Sequence, residues 1–428
     1  MKLIKIKLPF VFQQFLSSKL AKNVGIFTVL NFFLKGISFL ITPLFTNYIN
    51  PDEFGRLNIF QNSINLIAPL IGLGITNSIS IDFFKESRDN LSKQLSTFFL
   101  FSALITLFFC LLSLILGSFL TNYFQYSLIL ILLIPIFCFL NLVIDTMFIL
   151  FRNDDKILKL TYYTVGRVVI EIFLSLLLIV VLLKGSEGRL WSMIIATFII
   201  ALGCFSVLVK KYKLTYSFNF NFIKKEWRFW GSTTVGFLFV LAFNVFDKYI
   251  VKYFCSADDL GLYGLATQFG FIIFTFSAAL STAYIPNLYN DLAQKASIEV
   301  VYRKLKVIIL LIVFVALGSN IIVYLVLKFM VSIKYAPSWN YYLLISGVYG
   351  LWAIISVLYG FLYYFKMKKI VFLFGVFAVM LFVPLEIAAT YFYNIYGIIL
   401  CQFFYFLFCL MIIFRIVLKK MKYENFLS

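Results

Sequence analysis

Long apolar runs broken by short polar segments recur along the whole chain, at about 24–48, 57–81, 95–117, 124–150, 160–183, 189–209, 229–251, 262–287, 307–328, 340–364, 370–393 and 397–418. Each run is continuous rather than alternating. Each is close to the roughly 20 residues that a helix needs to cross a hydrocarbon core about 30 Å thick. In lipid, only helices and closed barrels satisfy their own backbone polar groups, and unalternating runs exclude barrel strands. The pattern therefore predicts an all-α polytopic membrane protein with about 12 transmembrane helices. An even number puts both termini on one side of the membrane.

Polar residues inside these runs fall into stripes. Span 1 carries Thr28, Asn31, Lys35, Ser38 and Thr42 at alternating steps of three and four, hence on one helix face. Span 2 carries Asn58, Asn62, Asn65, Pro69, Gly72 and Thr76, and span 5 carries Thr164, Arg167, Glu171 and Ser175. Span 10 carries Tyr342, Ser346, Tyr349 and Ser356, and span 8 a weaker set with Gln268 and Thr275. A polar stripe faces either another helix or water. The Ser, Thr and Gly members suit helix packing, whereas the Asn and Lys residues of spans 1 and 2 point to a water-filled cavity.

Lys35 lies roughly 17 Å from the inner end of its span at 1.5 Å per residue, too deep for its stem to reach the interface. A charge at that depth must be satisfied by protein or by water. Arg167 and Glu171 stand one turn apart, where a local ion pair would neutralise both. Asp145 and Asp247 lie near span ends and within reach of interfacial water, and Glu386 lies deeper, beside Pro384. The candidate substrate-binding residues are Lys35, Asn31, Asn62, Asn65, Arg167, Gln268 and Tyr349. The candidates for ion coupling or gating are Glu171, Asp145, Asp247 and Glu386.

Composition supports the membrane reading, with 63% hydrophobic and 13% charged residues among 428. Of the 37 Lys and Arg residues, 28 fall at the termini and in the even-numbered loops and only 7 in the odd-numbered loops and their helix ends. By the positive-inside rule both termini are cytoplasmic. The net charge of +19 is thus a topology signal and a grip on anionic lipid, not a nucleic-acid surface. The basic residues 1–23 read as a cytoplasmic interfacial segment, because the run behind them is too long for a signal peptide and lacks a cleavage site. The chain has no histidine and six cysteines without metal-ligand or disulfide spacing. No cofactor or metal motif appears, and every loop is too short for a soluble catalytic domain.

Residues 51–57 read Pro-Asp-Glu-Phe-Gly-Arg-Leu and residues 257–263 read Ala-Asp-Asp-Leu-Gly-Leu-Tyr. Both place an acidic pair, an apolar residue and a glycine at the start of an even-numbered span, nearly half a chain apart. A duplication follows, with six-helix lobes at 24–209 and 229–418, a linker at 210–228 and a tail at 419–428. Equivalent lobes of this kind can rock about a central cavity.

The Asn31-to-Lys35 stretch, the turn Asn50-Pro51-Asp52-Glu53-Phe54-Gly55-Arg56 and Ile71-Gly72-Leu73-Gly74 resemble the O-antigen and capsule oligosaccharide flippases (Wzx type) of the multidrug/oligosaccharidyl-lipid/polysaccharide exporter (MOP) superfamily. Asp247-Lys248-Tyr249 followed by Leu260-Gly261-Leu262-Tyr263, and Arg152 with Lys156, are similar to the same family. The resemblance implies two lobes around a cationic cavity, as in MATE-like transporters, in the bacterial inner membrane. It implies an undecaprenyl-diphosphate-linked oligosaccharide as substrate, with a glycan polymerase and chain-length proteins as partners. Lys35 is the kind of basic residue that related lipid II flippases use in helix 1, while span 8 lacks a mid-depth arginine. A drug/cation antiporter of the same superfamily, or a membrane glycan polymerase, is the alternative.

Overall fold

The computed structural model describes residues 41–73, 78–79, 82–83, 86–154, 156–214, 218–294, 297–365 and 367–426. The regular elements among them are all helical. Most of span 1, with Asn31 and Lys35, lies outside the described residues; its end is helical at 41–45.

The first complete helix, α1 (Pro51–Gly72), starts six residues before its apolar run. Pro51 occupies the first turn, where its missing N–H costs nothing. Asp52 and Glu53 favour the positive end of the helix, and the Asn50 amide donates to Glu53 Oε2 at 3.4 Å. After α1 come α2 (Arg88–Ile115), the short α3 (Gly117–Phe124) and α4 (Leu128–Asn153). Next are α5 (Ile157–Ser175), continued by a π-helical turn at Leu176–Val181, and α6 (Gly185–Tyr212).

The second half opens with α7 (Phe220–Phe254). Asn219 caps it by accepting from Phe222 N at 3.2 Å, so residues 220–228, expected as linker, begin the helix. Capping chemistry rather than the apolar run sets this boundary. Then follow α8 (Ala257–Ala293), α9 (Ile298–Phe329), α10 (Ser338–Tyr364), α11 (Lys368–Phe377) with a π-helical turn at Ala378–Phe382, and α12 (Val383–Phe426). π-helical turns thus occur in the fifth and eleventh spans, which the repeat makes equivalent.

Among the described residues, eight helices are long and apolar enough to cross a membrane, the last running from Leu373 to Met421. That stretch is a hairpin. Asn394 leaves helical geometry at φ 52°, ψ −141°, and a Cβ on Gly397 would overlap the Ala389 carbonyl. Tyr405 returns to donate to Phe374 O at 3.1 Å. The turn falls between the expected spans 370–393 and 397–418. The molecule is the all-α polytopic bundle that the runs predict.

The two halves meet through α1 and α8. A Cβ on Gly55 would stand 2.8 Å from Ala257 O, and one on Gly261 would overlap Pro51 O. Pro51 matches Ala257 and Gly55 matches Gly261 in the internal repeat, so the contact is reciprocal. Glycine permits this approach because it presents no side chain between the two backbones.

Candidate functional site

Contacts around the glycine crossing close one end of the molecule. Tyr335 Oη donates to Ile49 O at 2.8 Å and Lys334 Nζ to Asn50 Oδ1 at 2.8 Å. Ser332 N donates to Thr46 Oγ1 at 3.3 Å. In the other half, Lys252 Nζ donates to Tyr123 O and lies 3.6 Å from the centre of the Tyr123 ring. Thr46 and Lys252 are equivalent in the repeat, so each half grips the connection of the other. Ser63 Oγ and Tyr249 Oη add a hydrogen bond of 2.6 Å between α1 and α7. Burial raises the Tyr335 phenol well above its ordinary range, with the Glu53, Asp52 and Asp258 carboxylates adding to the effect. The phenol therefore stays a donor at any physiological pH.

Beside this closure lies a pocket lined by Thr42, Phe45, Phe54, Asn58, Gln61, Val168, Glu171, Ile172, Arg189 and Gln268, among others. Thr42, α1, α5, α6 and α8 all contribute, so the pocket joins the two halves. Gln268 Nε2 donates to Thr42 Oγ1 at 3.0 Å across the halves. Asn58 Nδ2 donates to Phe54 O at 2.8 Å and packs against Gly264 of α8. Glu171 Oε1 pairs with Arg189 at 2.7 Å. Arg189 also donates to Ser175 Oγ at 2.7 Å and lies 5.6 Å from the Phe45 ring centre.

Of the candidate residues, Glu171 and Gln268 line this pocket. Asn62 is buried and donates to Asn58 O at 2.9 Å along its own helix, whereas Asn65 is exposed. Arg167 acts electrostatically on Asp145, which is exposed on α4, rather than pairing with Glu171. Tyr349 packs against Gly270 and stands 5.5 Å from Trp352, in an aromatic layer of the second half rather than in the pocket. Arg189 was passed over because its place near a span end made it look like a loop charge. Gln61 adjoins the asparagine stripe of span 2, one position off its face.

A second polar cluster lies inside the second half. Asp247 does not reach interfacial water. It is 3% exposed, accepts from Tyr263 Oη at 2.8 Å and pairs with Lys248 at 3.2 Å. Glu386 is fully buried. Asp247, Lys248 and the Gln402 side chain all lie within its electrostatic neighbourhood.

Membrane-length helices from both halves of the chain meet at one end beside a polar pocket, a fold shared with solved membrane proteins. The solved structure of the lipid II flippase MurJ in an inward closed conformation has a similar fold, with a TM-score of 0.75 at 13% identity, covering 94% of this chain and 91% of that one. An inward-facing multidrug resistance MATE family transporter of the MOP superfamily gives 0.66 at 11% identity, over 90% and 95% of the two chains. The chain belongs to the polysaccharide biosynthesis protein family, which it matches over residues 20–290. An uncharacterized membrane protein of Haemophilus influenzae is 22% identical over 284 residues, 64% of this chain and 66% of that relative, just under two thirds of its length.

Proposed function

We propose that this protein flips an undecaprenyl-diphosphate-linked oligosaccharide, an O-antigen or capsule repeat unit, from the cytoplasmic to the periplasmic leaflet by alternating access. The observation that carries the reading is the pocket shared by both halves next to a closed end. It combines the Arg189 guanidinium, paired with Glu171, with the neutral hydrogen-bonding groups of Asn58, Gln61, Gln268 and Thr42. That mixture suits a phosphate joined to sugar hydroxyls. Membership of the polysaccharide biosynthesis protein family supports the same class of substrate.

The 28-to-7 distribution of basic residues supports a periplasmic closed end and cytoplasmic termini. The 24–209 and 229–418 lobes then open toward the cytoplasm to load the headgroup while the lipid tail stays in the bilayer. Each negative charge moved outward gains about 2.3 kcal/mol per 100 mV, so the field assists a diphosphate. Lys35, outside the described residues, is the deep cation of span 1 that the headgroup would meet. Asn31, Asn62, Asn65, Arg167 and Tyr349 complete the proposed substrate path.

Asp247 and Glu386 are proposed to couple transport to an ion, because two buried carboxylates near one lysine leave a site that a proton or a cation would neutralise. Asp145 and Glu171 are proposed as gating carboxylates. The buried Asp247 and Glu386 would equally suit a drug/cation antiporter, and drug susceptibility measured beside surface glycan separates the two readings. Deleting the gene is expected to make undecaprenyl-linked repeat units accumulate on the cytoplasmic side and to abolish the surface glycan. Normal glycan with altered drug susceptibility would favour the antiporter.

A further inference from the structure

The Glu171–Arg189 pair lines a cavity instead of being sealed in the core, and each side chain keeps 19% of its surface exposed. Arg189 is held from three sides: Glu171 at 2.7 Å, Ser175 at 2.7 Å and the Phe45 ring at 5.6 Å. A guanidinium has five N–H donors in a planar fork, and these contacts leave several of them unused. Its position is fixed even if the carboxylate departs, because Ser175 and Phe45 remain. A phosphate presents oxygens to such a fork in the same geometry as a carboxylate.

We propose that Glu171 is a built-in stand-in for the phosphate of the substrate. In the empty protein it neutralises Arg189. A diphosphate entering the pocket displaces the carboxylate and takes over the guanidinium, while Asn58, Gln61 and Gln268 supply neutral hydrogen bonds beside it. When the lobes rearrange, Glu171 returns to Arg189 and competes the phosphate off. Binding and release thereby become an exchange of counter-ions, so Arg189 is never left unpaired. This deepens the flippase reading and rests on it.

The test uses the full chain in nanodiscs of zwitterionic lipid, with inorganic pyrophosphate as the probe and calorimetry as the readout. Removing the internal competitor with Glu171→Gln is expected to tighten pyrophosphate binding about tenfold. Arg189→Lys should bind more weakly than wild type, and Arg189→Ala should not bind measurably. The doubly neutral Glu171→Gln/Arg189→Gln variant leaves no charge unpaired; it should fold, shown by its thermal unfolding, and fail to bind. A purely structural ion pair predicts the reverse for Glu171→Gln, lower stability with no gain in affinity. Unchanged or weaker binding by a folded Glu171→Gln protein would overturn the proposal. Flipping of a lipid-linked oligosaccharide by wild type in liposomes separates the two levels. No flipping by wild type sinks the parent reading, whereas flipping that survives Arg189→Ala at full rate sinks only this one.

Discussion

Glu386 places a carboxylate in a fully buried position, with Asp247, Lys248 and the Gln402 side chain as its polar neighbours. Holding an ionised carboxylate there beside the Asp247 carboxylate costs several kcal/mol. Glu386→Gln removes the charge while keeping the shape. The expected outcome is a stable protein whose transport no longer responds to the ion gradient, measured in vesicles with imposed gradients. Lys35→Ala is expected to lower flipping by at least tenfold while Lys35→Arg retains most of it, read as the rate of surface glycan appearance. Both residues were visible in the sequence, because charges deep in apolar runs need a reason. Partner choice was not. Arg167 is one turn from Glu171, yet Glu171 pairs with Arg189 across the α5–α6 hairpin. Asp247 sits near a span end, where water seemed within reach, but Tyr263 and Lys248 close over it. Linear position gives depth in the membrane and says little about which neighbouring helix covers a side chain.

At the level of elements, the helix starts at Pro51 and Ala257 form the joint between the halves. A methyl group on Gly261 would meet the backbone of Pro51, and one on Gly55 that of Ala257. Backbone cannot move aside as a flexible side chain can, so Gly261→Ala should disfavour the closed end by about 1–3 kcal/mol. With Gln61→Cys as a reporter in a chain otherwise free of cysteine, labelling by an impermeant maleimide from the periplasmic side is expected to rise severalfold. Gly318→Ala, where a Cβ meets nothing within 4 Å, is expected to leave labelling unchanged. Equal labelling of the two variants would remove the glycine contact from the gate. Tyr335→Phe deletes the bond to Ile49 O and should loosen the same end by about 1 kcal/mol, through the same labelling readout. The repeated Asp-Glu/Asp-apolar-Gly pattern was legible as a turn signal and as a duplication. That its two copies pack against each other was not, because self-association of a repeat depends on how the lobes fold together. Helix boundaries moved for a related reason, since the Asn219 cap and Pro51 in a first turn start helices outside the apolar window.

For the whole molecule, twelve apolar runs sufficed to announce a polytopic helical bundle, because lipid permits so few backbones. The hairpin at Asn394 lies where the last two runs were divided. The pocket was only half legible: Glu171 and Gln268 were singled out, whereas Arg189 and Gln61 become pocket residues only when α1, α5, α6 and α8 converge. The closed end, the pocket and the buried carboxylates belong to one machine if the two halves carry a charged headgroup between leaflets. The most direct measurement reconstitutes the purified chain in liposomes bearing an undecaprenyl-diphosphate oligosaccharide and follows exposure of the sugar to an external glycosidase. Protein-dependent conversion of the protected inner-leaflet pool, lost with Arg189→Ala, is the predicted result. A protected pool that stays constant in the presence of folded protein would contradict the account.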